Sequence, residues 1–66
     1  MKSWSLESFV DSHSAADAAI VWGKSRQTVE QAIAANRQIK IVLIDGYYEV
    51  HEAKLLSRIP ATRFYF

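Results

Sequence analysis

At 66 residues the chain is long enough for one domain and no more, and with 50% hydrophobic residues it reads as globular rather than disordered. It has no cysteine, which excludes disulfides and thiolate metal centres, and no apolar run near the roughly 18 residues of a membrane-crossing helix. A net charge of +1 excludes the strongly basic class of nucleic-acid binders, so any such function must rest on how the charge is distributed.

Residues 1–4 suit only a small edge strand. Ser5 is a helix-cap candidate. Leu6, Phe9, Val10 and His13 then recur at helical spacing, which predicts a short amphipathic helix over residues 6–13. His13 belongs at the core edge or in solvent. With His51 the only other histidine, no metal site is expected.

Residues 14–36 organise the rest. Ser14 can cap a second helix, and Asp17 can complete a capping box and favour the positive helix end. Good helix formers fill residues 15–22, and Ala16, Ala19 and Ile20 are expected to share the inward face. Gly23 can take the positive φ of a helix end, and Ser25 is the next cap candidate. In a third helix over residues 26–36, Val29, Ala32 and Ile33 face a core together, while Arg26, Gln27, Glu30 and Gln31 face outward. Small Ala19 lets the two helices approach, and Val29 holds one to the other. Helix, three-residue turn and helix is the helix-turn-helix layout, here over about residues 15–36.

Residues 37–44 are β-branched and apolar, with Ile39, Ile41 and Leu43 on one face and Lys40, Val42 and Ile44 on the other. Asp45-Gly46 is a strong type I′ hairpin signal. The return strand places Tyr48 and Val50 on one face and Tyr47, Glu49 and His51 on the other, so a hairpin spans about residues 39–53. Residues 54–66 form an apolar tail with Leu55, Leu56, Ile59, Pro60, Phe64, Tyr65 and Phe66. It either folds back on its own core, as further strand or a helical turn, or docks on another subunit. The expected fold is therefore α+β: three short helices, a C-terminal antiparallel hairpin, and room for an N-terminal strand.

Charge is uneven along this chain. Residues 1–23 carry −2, residues 24–40 carry +3, and residues 41–66 are neutral. The positive charge collects around the third helix, where a phosphate backbone would lie, although four basic residues also suit a solvated face. The outward side chains have the chemistry to read bases: Arg can bond guanine O6 and N7, Gln adenine N6 and N7, and Glu cytosine N4. The competing use is an Arg26–Glu30 pair within the helix, worth at most roughly 0.2–0.5 kcal/mol, against about 1–3 kcal/mol of discrimination for a bidentate base contact. Lys24, Arg37 and Lys40 suit phosphate. Trp4, Trp22, Tyr47 and Tyr48 could stack on a single strand, but Trp22 and Trp4 are better read as covering the core. No nucleophile–base pairing or glycine-rich phosphate loop is present, so an enzyme and a cofactor are not expected.

The order of these elements resembles the Cro repressors of lambdoid bacteriophages, in the mixed α+β branch typified by lambda Cro. The resemblance spans residues 5–60 and rests on SLESF, on Ala19 and Gly23, on QAIAANRQI leading into the strand, and on the later DG and IP. It implies base contacts from Arg26, Gln27, Glu30 and Gln31, and backbone contacts from Ser25, Arg37 and Gln38. It further implies operator binding as a homodimer through the last strands, with an aromatic residue before a proline docking in the partner, a place that Ile59-Pro60 occupies here. Tyr48, Val50, Glu52, Leu55, Ile59 and Pro60 are the expected dimer residues. Lys24, Ala15, Ile59 in place of an aromatic, and the RFYF ending depart from the family pattern; the recognition positions also differ from those of lambda Cro, so its operator sequence cannot be transferred. The reading is a sequence-specific repressor of the host bacterial cytoplasm and nucleoid, with double-stranded operator DNA and a second copy as partners, and no membrane or small-molecule ligand. Its alternative is a protein-interaction module that keeps the helix-turn-helix without reading DNA.

Overall fold

A computed structural model describes the backbone of residues 1–64, with side chains over residues 1–53 and 57–62. Strand β1 (Lys2–Ser5) leads directly into helix α1 (Leu6–Ser12), followed by α2 (Ala15–Trp22) and α3 (Arg26–Ala34). Strands β2 (Lys40–Ile44), β3 (Tyr47–Glu52) and β4 (Lys54–Pro60) come next, and a 3₁₀ turn (Ala61–Phe64) follows. Each α-helix starts on a serine whose hydroxyl accepts from a backbone N–H three residues on: Ser5 from Ser8, Ser14 from Asp17, and Ser25 from Thr28, at 3.0–3.2 Å. These bonds satisfy one of the four N–H groups that a helix start leaves without a partner.

All four strands pair antiparallel in the order β1-β2-β3-β4. Asp45 and Gly46 both have positive φ (54° and 78°), as the type I′ turn between β2 and β3 requires. One face of the sheet meets the helices. On it Trp4, Ile41, Val50 and Ser57 lie in register across the four strands, beside Leu43, Tyr48 and Ile59. Ser57 Oγ donates to the Val21 carbonyl at 3.2 Å and ties β4 to α2. The opposite face carries Val42, Glu49 and Arg58 in one row, with Glu49 ion-paired to Arg58 at 3.2 Å and lying 3.2 Å from the His51 ring.

The core lies between this sheet and the three helices, with Phe9, Val21, Val29, Ile41 and Val50 at its centre, all below 2% exposure. Phe9 is clamped from two sides: the Trp4 ring meets it edge-on at 5.3 Å and His13 stacks on it at 4.0 Å. Of the two places left open for His13, it takes the core edge, stacked on Phe9 with the residue still exposed.

Two expectations change. The inward face of α2 is Ala18, Val21 and Trp22, all at 3% exposure or less, whereas Ala16 is exposed and Ile20 is 49% exposed. Both triplets obey i, i+3, i+4 spacing, and a helix with almost no polar residue offers no contrast to choose between them. The tail, left between two fates, folds back: β4 pairs with β3, placing Ile59 opposite Tyr48, and a bulge between Val50 and His51 absorbs one extra residue. The side chain of Leu55 and the RFYF ending lie outside the described side chains.

Candidate nucleic-acid interface

Helix α2 ends on Gly23, whose φ of 72° lets its own N–H and that of Lys24 reach back to the Ala19 carbonyl at 2.9 and 3.1 Å. Three residues separate α2 from α3, and Ser25 ends the turn by capping α3. Thr28, not singled out in the sequence, reinforces this cap: its Oγ1 lies 2.8 Å from Ser25 Oγ. The signal was its place three residues after the cap, where Glu or Gln usually sits. At the far end Asn36 takes a left-handed φ of 56°, and Arg37 N–H bonds the Ala32 carbonyl, closing the helix with a Schellman-type turn.

Helix α3 is two-sided. Val29 and Ala32 are buried at 0% and 2%, and Ile33 packs beside them. Arg26, Gln27, Glu30 and Gln31 are all exposed on the other side. Arg26 Nε and Glu30 Oε1 stand 3.9 Å apart with side chains 71% and 60% exposed, too long for a hydrogen bond and too wet to hold either group back from a ligand.

The residues expected on phosphate separate into groups. Lys24 and Ser25 sit at the N-terminus of α3, beside the outward row, and both are exposed. Gln38 is exposed in the loop after α3. Arg37 is engaged within the chain: its Nη2 donates to Glu52 Oε2, and its guanidinium carbon lies 5.3 Å from the Trp22 ring centre. Lys40 alternates with the buried Ile41 and pairs with His51, so it leaves the sheet on the face away from the helices. The single-strand stacking alternative loses its platform. Trp22 and Tyr48 are buried, Trp4 packs on Phe9, and Tyr47 lies on the other sheet face under the Arg58 guanidinium at 4.1 Å.

A family model described as Cro matches residues 1–58. The chain belongs to the Cro family. Cro proteins are DNA-binding transcriptional repressors of bacteriophages built on a helix-turn-helix, which is the element that α2, its Gly23 turn and α3 form here. No curated protein and no solved structure matches the chain. Among the expected dimer residues of this Cro chain, Tyr48, Val50 and Ile59 are buried in the chain's own core, Pro60 is half-buried at the end of β4, and Glu52 holds Arg37. The Glu52 contact was not legible in sequence, because fifteen residues separate it from Arg37 and neither lies in a periodic pattern with the other.

Proposed function

We propose that this Cro-family chain represses transcription by binding a short, pseudo-palindromic operator as a homodimer, with α3 of each copy in a major groove. The observation that carries this reading is the two-sidedness of α3: one row is buried to 2% or less while Arg26, Gln27, Glu30 and Gln31 stand exposed opposite it. Those four side chains read bases by the donor and acceptor pattern of the groove. Lys24, Ser25, Gln38 and Arg37 hold the backbone and set the register of the helix without reading sequence. Lys40 has weaker support in that role, because it points away from the helical layer. Two copies place their recognition helices about 34–36 Å apart, one turn of the duplex, and a protein seated on a promoter excludes polymerase.

The dimer surface in this reading lies around the last strands, at Glu52, Leu55, Ile59 and Pro60; Tyr48 and Val50, expected there from the sequence, are 9% and 0% exposed and pack inside their own chain instead. Because β4 already covers the edge of β3, the outer edge of β4 is the one open for pairing on that side of the sheet. No helix among the described residues is long and apolar enough to cross a membrane, and the proposed place of action is the bacterial cytoplasm, on the nucleoid. Selection from a random pool of duplex DNA at several salt concentrations, followed by sequencing of the retained fraction, tests the whole reading. A two-fold symmetric enriched site whose affinity falls steeply with salt is expected. An enriched half-site alone would retain the reading helix and overturn the dimer.

A second reading is favoured by exposed Ile20, which with Ala16 leaves an apolar ridge on α2. In it the helix-turn-helix serves as a protein-interaction module. Absence of any enriched sequence at low salt would favour it.

A further inference from the structure

Arg37 is held at two points by residues from two other elements. Trp22, the last residue of α2, lies beneath its guanidinium, and Glu52, the last residue of β3, accepts from its Nη2. Trp22 is 3% exposed, so its ring is a fixed shelf. The Glu52 side chain is 25% exposed and that of Arg37 43%, so the pair sits at the surface with the arginine the more open partner. A guanidinium carries five N–H donors in a planar fork, and among the described residues Glu52 is its one hydrogen-bonding side-chain partner. The remaining donors have no side-chain partner among the described residues and can meet a second anion. The guanidinium is also brought back to the end of α2, next in the chain to the Gly23 turn from which Lys24 and Ser25 lead into α3.

We propose that Glu52 is a positioning residue that, with Trp22 as a shelf, fixes the Arg37 guanidinium as a phosphate-binding fork on the flank of the recognition helix. The ligand is a phosphodiester of duplex DNA. This inference rests on the DNA-binding reading above and deepens it. A long side chain loses rotamer freedom when it seizes a phosphate, and one already held loses little. The Glu52 carboxylate acts in two opposite ways. Its charge repels phosphate, and its oxygen orients the arginine. The two can be separated, because Gln keeps an acceptor without the charge and Ala keeps neither.

The test measures binding of E52Q and E52A to random-sequence duplex DNA at low salt, each with Arg37 intact and with R37Q. Melting curves place every measurement in the folded range, and E52L, which keeps bulk without an acceptor, replaces E52A if that variant melts too low. With Arg37 present, E52A binds roughly three- to tenfold more weakly than E52Q, the cost of ordering one free side chain. With R37Q the gap between the two closes, and the slope of log affinity against log salt becomes shallower by about one. Equal binding by E52Q and E52A, or a gap that persists in R37Q, overturns the inference, since a merely structural Glu52 would act in both backgrounds. Failure of the unaltered chain to bind any duplex overturns the DNA-binding reading together with it, whereas binding without the gap overturns this inference alone.

Discussion

Ala53 is the one residue between β3 and β4, and it turns the chain with a φ of 67°. An alanine in that region costs about 1–2 kcal/mol, because its Cβ crowds the neighbouring carbonyl. Ala53→Gly therefore stabilises the protein by a net of about 0.5–1 kcal/mol, once the extra freedom of glycine in the unfolded chain is subtracted. For a domain of this size that is a rise in melting temperature of roughly 2–8 °C. A fall on thermal unfolding would show that the turn is not strained. Gly23 has a comparable φ of 72°, and a Cβ there would meet nothing within 4 Å, so only backbone conformation requires glycine. Gly23 and the Asp45-Gly46 pair were legible in sequence as turn residues. Ala53 was not, because alanine carries no turn signal, and its conformation follows from β4 returning along β3.

At the scale of elements, α3 and α2 differ in how much their sequences reveal. Helix α3 alternates apolar and polar rows, so its inward face of buried Val29 and Ala32 with half-buried Ile33, and its outward row, were both readable. Helix α2 has one charged residue in eight, and its inward face was decided by the core it joins: Ala18, Val21 and Trp22 lie in one buried cluster with Phe9, Val29, Ile41 and Val50. The exposed row of α3 makes no described contact that the fold depends on. Arg26→Ala with Gln27→Ala is therefore expected to leave the unfolding free energy within about 0.5 kcal/mol of the original, as for other surface changes. The same pair is expected to cost about 1–3 kcal/mol of discrimination per lost base contact, seen as a flattened preference in duplex selection. Retention of the original preference would remove these two residues from the reading surface.

The whole molecule is shaped by its sheet. Four strands with helices on one face bury Ile41 and Val50 completely, which two strands alone could not do. Ile59, at 9% exposure opposite Tyr48, belongs to this intramolecular packing as well as to the proposed dimer surface. Ile59→Asp is accordingly expected to act twice. It destabilises the folded chain by about 2 kcal/mol or more, as buried aliphatic losses do, and it lowers association and operator affinity. Unfolding in urea at low protein concentration reads the first effect, and sedimentation over a range of concentrations reads the second. Lost stability with unchanged concentration dependence would confine Ile59 to its own chain.

The sequence by itself determined the parts whose information is local: three serine caps, the Gly23 and Asp45-Gly46 turns, the two faces of α3, the alternation of β2 and β3, and the family resemblance over residues 5–60, which the family model bears out over residues 1–58. Capping, positive φ and amphipathic spacing act within a few residues, so composition and order are enough to reveal them. Only the tertiary structure decided which face of uniformly apolar α2 turns inward, that residues 54–60 become a fourth strand, and that Arg37 finds Glu52. Each depends on groups brought together from distant positions, where the competing local choices are equal in energy and the neighbour across the core selects between them.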